Sequence, residues 1–348
     1  MSKYLRKTIE TLKPYEAGEQ PSRGSTVIKL NTNENPYPPS PNVRRALRTF
    51  SPIALKRYPE PLADTFREAA AKVFGVRPEM IIAGNGSDDI INIAIRAFVD
   101  VGERIAYPVP TYSLYSVLAD IQQAQTFEVP FDDSFDVPKG LAEAQAKLTF
   151  VANPNAPTGT FIRPEKIEQL ARKTKGIVAV DEAYADFADA NCLELAKRLP
   201  NVLVLRTLSK SYSLAGLRFG FAIGQPRLIE DMNKVKDSYN CDALAITLAA
   251  RAIEDQAYLA KTVARIRRQR QVLTRGLISL GFSVLPSQAN FLWATIHSPP
   301  AKQIYLELKR RGILVRYFDH PGLTSGLRIS VGSSKDNRSL IKALASIV

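Results

Sequence analysis

Thr207-Leu-Ser-Lys-Ser-Tyr-Ser-Leu-Ala-Gly-Leu-Arg218 sets a lysine, Lys210, just past an uncharged run of branched residues, Val202-Leu-Val-Leu205. Such a run predicts a strand covered on both faces of a sheet. Lys210 then falls at the strand's C-terminal end, where open α/β sheets bind their ligands. A lysine held near other cations loses its proton close to neutral pH and can attack a carbonyl carbon, and Arg218 follows eight residues later. A solvated loop lysine is the competing reading, the usual fate of lysines in a basic chain.

Two upstream stretches change the balance. Ile177-Val-Ala-Val-Asp-Glu-Ala-Tyr184 is a second apolar strand that ends in an acid, Asp181, with the phenol of Tyr184 three residues on. Phe150-Val-Ala-Asn-Pro-Asn-Ala-Pro-Thr-Gly159 is a third, running into a turn-rich loop. The expected fold class is α/β: a mostly parallel sheet flanked by helices, whose strands deliver a polar loop, an acid and a lysine to one edge. Pyridoxal phosphate needs an acid in such a place, to keep its pyridine nitrogen protonated so that the ring withdraws electrons from a substrate carbanion.

Asn155-Ala-Pro-Thr-Gly159, Asp181-Glu-Ala-Tyr184 and Ser209-Lys210 followed by Gly216-Leu-Arg218 together resemble the fold type I pyridoxal-phosphate aminotransferases, and within them the histidinol-phosphate branch. The resemblance runs from Leu12-Lys-Pro-Tyr15 through Leu30-Asn-Thr-Asn-Glu34 and Arg57-Tyr-Pro-Glu60 to Leu327-Arg-Ile-Ser-Val-Gly332, nearly the whole chain. The motifs are specific as an ordered set and not singly. The resemblance implies an aspartate-aminotransferase-like architecture with a large cofactor domain over residues 36–245, a smaller α/β domain over 246–348, and an arm over 1–35 that packs with the smaller domain.

Composition bounds the partners. The 348 residues, 45% hydrophobic, allow a large core, and the formal charge of +13 favours anions. Small phosphates and carboxylates fit better than nucleic acid, because the basic residues are scattered and no helix-turn-helix, zinc or RRM signature appears. Cys192 and Cys241 form no CxxC pair, and His297 and His320 are too few for a metal site, so no metal is expected. The N-terminus carries no signal-peptide run, and no segment approaches the ~20 apolar residues of a membrane helix. The expected location is the cytoplasm.

Taken in order, residues up to about 35 are proline-punctuated and cannot be regular helix. Tyr15 and Asn33 read locally as turn residues; the resemblance makes the arm a cover for the site, with Tyr15 facing substrate. Asp64 to Phe74 has helical spacing and stops at Gly75. Tyr58 ahead of it reads as a packing tyrosine, but the resemblance sends it to the neighbouring subunit's cofactor phosphate, implying a homodimer with shared sites. Met80-Ile-Ile-Ala-Gly-Asn-Gly-Ser-Asp-Asp89 is strand, glycine loop and helix start, where phosphate can sit on free amides. A dinucleotide fingerprint fails there, since Asp89 stands where the third glycine belongs.

The resemblance assigns the phosphate to Gly86, Ser87, Asp88, Thr207, Ser209 and Arg218. Asp88 suits that role only with its carboxylate turned away, for example to cap the helix. Tyr112 matches the aromatic that stacks on the cofactor ring. In the asparagine loop Ala156 stands where the family has the asparagine that bonds the ring oxygen, so Asn155 is a displaced substitute and Tyr184 the main partner. Phe219 to Ile223 is expected to close the sheet, and the arginines at 265–275 to lie on a solvated helix face.

Arg316 and Arg328 occupy strand positions, where a buried guanidinium needs a carboxylate or a ligand anion. The resemblance assigns Arg328 to the substrate carboxylate and Lys210 to the cofactor. The reaction it implies is transamination of L-histidinol phosphate with 2-oxoglutarate, giving imidazole-acetol phosphate and glutamate, a step of histidine biosynthesis. Aromatic aminotransferases and threonine-phosphate decarboxylases share the motifs. A ligand-sensing regulator would usually add a DNA-binding segment, which the sequence is not expected to hold.

Overall fold

The computed structural model describes residues 3–22, 24 and 26–348. The arm's residues 1, 2, 23 and 25 lie outside the described residues. Strands are numbered β1 (Ile28–Lys29), β2 (Ile81–Gly84), β3 (Arg104–Val109), β4 (Gln125–Pro130), β5 (Leu148–Ala152), β6 (Ile177–Asp181), β7 (Val202–Thr207), β8 (Gly220–Ile223), β9 (Ser283–Val284), β10 (Phe291–Thr295), β11 (Ile313–Leu314), β12 (Arg316–Tyr317) and β13 (Gly326–Ser330).

A seven-stranded sheet runs in the order β2-β8-β7-β6-β5-β3-β4. Neighbours are parallel except at β8, which runs against both β7 and β2. The three apolar runs of the sequence are β5, β6 and β7, side by side, and β5 and β7 are buried at every position. Helices cover both faces of these strands, so each is apolar on both sides. Phe219 to Ile223 was expected to close the sheet. Its strand β8 instead lies second from one edge, since β2 pairs outside it. Gln125–Pro130, largely exposed and not anticipated, forms the other edge.

Side-chain alternation divides the core in two. Val178, Val180, Val202 and Val204 face one layer with Phe66, Phe221 and Ile253. Phe150, Ala179, Leu203 and Leu205 face the other with Ile90, Ile93 and Tyr115. The Asp64–Phe74 helix forms as its spacing predicts and ends on Gly75 at φ 61°, the left-handed turn that glycine adopts without strain.

A four-stranded antiparallel sheet, β12-β13-β10-β9, packs on the Gln256–Ser279 helix through Val263, Ile266, Leu273 and Leu277. The arm's β1 pairs in parallel with β11, and Leu30 joins that second core. The basic face of the long helix is only partly solvated. Arg270 donates to the carbonyls of Ala289 (2.8 Å) and Phe187 (3.3 Å), Arg267 pairs with Asp189, and Arg265 lies over the Tyr37 ring. Arg268 and Arg275 are exposed, as expected.

Candidate active site

The C-terminal ends of β2, β3, β5, β6 and β7 meet at one rim, and the site is built from the loops that leave them. Asp181 closes β6. Tyr115 Oη donates to its Oδ2 at 2.8 Å and the Ala183 amide to its Oδ1 at 3.2 Å. Burial raises the acid to about 6, against the downward pull of those two bonds. At neutral pH it is largely ionised.

Lys210 follows β7 by three residues. Its Nζ donates to the Thr32 carbonyl at 3.1 Å and lies 5.8 Å from the centre of the Tyr184 ring. Desolvation, followed by the like charge of Arg328, lowers it to about 8. A useful fraction of neutral amine, about a tenth, therefore exists at pH 7. Tyr184 Oη accepts from Asn33 Nδ2 at 3.0 Å, and Asn33 is held in the left-handed region, φ 57°, by Ser330 and Asn290.

The glycine loop after β2 turns into the Ser87–Phe98 helix through Gly86, at φ 91°. A Cβ at Gly86 would lie 2.6 Å from Arg218 Nη2, so only glycine admits the guanidinium there. Arg218 Nη1 reaches Ser209 Oγ at 3.4 Å, and Ser209 accepts from Thr207 Oγ1 at 3.0 Å. A helix N-terminus, two hydroxyls and a guanidinium thus face one space, a donor set suited to a phosphate group. Asp88 does not cap the helix. Asp89 bonds the Asn85 amide, and Asp88 accepts from Tyr112 Oη (3.1 Å) and lies 3.3 Å from Arg218 Nη2.

Tyr112 carries Tyr15 edge-on at 5.6 Å and Tyr115 edge-on at 5.7 Å. Tyr15 is brought to the site by the arm, as the resemblance implied. Asn155 is not free to meet a ligand. Its amide donates to Pro110 O and Thr158 Oγ1 and accepts from Thr111 Oγ1, so it organises the loop. Ala156 packs with Ala289 and Phe291. Tyr184 is left as the phenol for a ring oxygen. Tyr58 stands apart, 81% exposed, stacked on Tyr239 at 4.5 Å.

Arg316 and Arg328 sit directly opposite each other on β12 and β13. Like charges in that register repel. Arg328 Nη2 donates to Asn31 O at 2.9 Å, its buried Nε has no partner, and no carboxylate among the described residues pairs with it. Arg316 donates to the carbonyls of Glu16 and Ala17 in the arm. Apart from Glu16 Oε2, 3.8 Å from Arg316, the pair has no carboxylate partner among the described residues. The residues around Asp181 and Lys210 fit pyridoxal phosphate in acid, amine, phenol and phosphate cradle.

The family model for aminotransferase class I and II matches residues 25–344. The chain belongs to that family. Among curated class I and II aminotransferases similar to it, a histidinol-phosphate aminotransferase of Trichormus variabilis is 46% identical over 349 residues, with all of both chains covered. One from Rhodopirellula baltica is 46% identical over 331 residues, covering 94% of this chain and 91% of the other. The crystal structure of the Sinorhizobium meliloti histidinol-phosphate aminotransferase in complex with pyridoxal 5′-phosphate superposes with a TM-score of 0.91 at 24% identity, covering 100% and 98% of the two chains. Its fold is that of this chain.

Three contributions to this aminotransferase site escape sequence reasoning: Tyr115 on Asp181, the Thr32 carbonyl on Lys210, and the ion cluster Glu182, Arg206 and Asp186 behind them. Arg206 Nη2 meets Glu182 Oε2 at 2.8 Å and Nη1 meets Asp186 Oδ1 at 2.9 Å. Asp186 also accepts from Ser211 Oγ, next to Lys210. The available signal was a charge, Arg206, one residue beyond an apolar run.

Proposed function

We propose that the enzyme transaminates L-histidinol phosphate with 2-oxoglutarate, giving imidazole-acetol phosphate and glutamate, with pyridoxal phosphate on Lys210. The observation that carries this reading is the Arg316 and Arg328 pair: Arg328 has no carboxylate partner among the described residues, and Arg316 has only the exposed Glu16, 3.8 Å away. Either a phosphate ester or an α-carboxylate answers that charge with paired hydrogen bonds. The curated relatives bear the corresponding name.

Bound at the rim, pyridoxal phosphate would supply an electron sink for the carbanion at the substrate α-carbon. The chain's residues would do the rest. Asp181 would hold the proton on the ring nitrogen. Lys210, neutral in part and bonded to Thr32 O, would take and return the proton at the substrate α-carbon. Tyr184 would bond the ring oxygen, Tyr112 would cover the ring, and Gly86, Ser87, Asp88, Thr207, Ser209 and Arg218 would hold the phosphate. Tyr15 would close the substrate side.

The division into an arm (1–35), a large cofactor domain (36–245) and a small domain (246–348) belongs to this reading, and so does a cytoplasmic homodimer. Supporting the dimer, Tyr58 is exposed with Ile53, Leu55 and Leu47 nearby in sequence, a surface suited to burial against a second copy.

The test is an amino-donor screen of purified protein with 2-oxoglutarate, in which histidinol phosphate should outpace phenylalanine, tyrosine and threonine phosphate. Faster aromatic donors, or carbon dioxide from threonine phosphate, would replace the reading. The protein should be yellow and lose that absorbance on borohydride reduction, with label on Lys210. Lys210→Ala should lower turnover by more than about 10³-fold. For the dimer, mixed assemblies of Lys210→Ala and Tyr58→Phe chains should recover part of the activity; no recovery in verified mixed dimers would assign Tyr58 to its own subunit or to no site.

A further inference from the structure

Asp181 has one strong side-chain partner, and it lies in the same turn that supplies the ring-covering aromatic. Tyr112 and Tyr115 are three residues apart at the start of the Leu114–Gln122 helix, a spacing that brings both rings to one face. Tyr115 is fully buried, stacked on Phe150 of β5 at 4.5 Å with the planes 8° apart, and its hydroxyl points to Asp181 Oδ2 at 2.8 Å. Phe150 and Asp181 belong to neighbouring parallel strands, so the stack fixes the phenol in front of the acid.

A carboxylate at the end of a buried strand can rotate about its terminal torsion, and only one orientation suits a ring nitrogen. It also tends to take up a proton when desolvated. The groups that face it are Tyr115 from the helix, the Ala183 amide from its own loop, Asp88 from the helix after β2, Tyr184, and Lys210 after β7. Asp88 opposes its charge, and only Tyr115, the amide and Lys210 favour it. Lys210 cannot be relied on, because its proton is the one that catalysis moves.

We propose that Tyr115 is a positioning residue for the acid: its phenol, held by the stack on Phe150, donates to Asp181 Oδ2, keeping that carboxylate ionised and turned toward the cofactor nitrogen. The inference rests on the reading of Asp181 as the acid that meets that nitrogen. The bond itself is tested without the cofactor.

Tyr115→Phe keeps the ring and the stack and deletes the donor. In the cofactor-free protein the infrared carboxyl band of Asp181, assigned by its loss in Asp181→Asn, should titrate about one to two pH units higher in Tyr115→Phe. Site-specific 3-fluorotyrosine at position 115, a more acidic and stronger donor of nearly the same shape, should shift it the other way. Phe150→Leu loosens packing but leaves the hydroxyl and should lower thermal stability with a smaller change in that titration. In the loaded enzyme the acid limb of kcat should follow the Asp181 titration in each variant.

An Asp181 titration that does not move with either change at position 115 overturns the proposal. The fluorotyrosine protein keeps it falsifiable should Tyr115→Phe not fold. Failure of Asp181 as the cofactor's acid is seen separately, as retained turnover in Asp181→Asn.

Discussion

Two clusters of charge lie close to the lysine loop, and they are built on opposite rules. In one, Arg206 is matched on both sides by Glu182 and Asp186, with Arg206 and Glu182 nearly closed off from solvent and Asp186 partly buried. In the other, Lys210, Arg316 and Arg328 gather three positive charges whose main partners are backbone carbonyls, with only the exposed Glu16 at 3.8 Å from Arg316. The paired cluster ties the Tyr184 loop to β7 and, through Ser211, to the lysine loop. The other keeps uncompensated positive charge, the electrostatic condition for holding an anion.

Breaking each cluster should separate the two rules. Arg206→Met leaves the buried Glu182 and the partly buried Asp186 without a cation, and urea unfolding should report a loss of about 3–5 kcal/mol. Arg328→Met removes an unmatched charge, so the cofactor-free protein should be at least as stable as its parent while turnover collapses. Comparable destabilisation by both would erase the distinction.

A smaller effect sharpens the unpaired side. If Arg328 meets the α-carboxylate and both arginines meet a phosphate, Arg316→Gln should slow the histidinol-phosphate half-reaction roughly ten- to hundredfold more than the glutamate half-reaction, the worth of one charge-assisted bond of ~1.5–3 kcal/mol. Single-turnover rates of cofactor conversion separate the halves. Equal losses would take Arg316 out of substrate recognition.

The last effect is in pH. Folding raises Asp181 to about 6, so the folded cofactor-free protein holds that proton more tightly than the unfolded chain, and stability falls as pH rises from roughly 4 to 6. Folding lowers Lys210 to about 8, so the unfolded chain holds more protons above that, and stability recovers as pH rises from about 8 toward 10. Each arm of the curve should amount to at most about 3 kcal/mol. Asp181→Asn should flatten the first and Lys210→Ala the second; curves unchanged by these substitutions would contradict the shifts.

Much of the fold was legible because parallel strands buried on both faces must be apolar along their length, and β5, β6 and β7 announce themselves that way. The gathering of Lys210, Asp181 and Tyr184 was legible for a related reason: polar residues that end or follow such strands emerge together at the C-terminal rim. What local pattern could not supply was pairing across the chain. Asn155 reads like a cofactor contact, yet its amide is spent on Pro110, Thr111 and Thr158. Asp88 reads like a cap, yet its carboxylate meets Tyr112 and Arg218 and the helix has no side-chain cap.

The sequence by itself determined the elements, their order and which side chains reach the rim, since these follow from periodicity and from the apolar runs. The tertiary structure alone decided which of two adjacent acids does what. Alternation along β6 sends Asp181 to the face that holds Tyr115 and the lysine, and Glu182 to the face that holds Arg206. Register between parallel strands, residue 181 against residue 205, then sets the partner each acid meets. No local feature of Asp-Glu encodes that choice; it arises where distant strands come into contact.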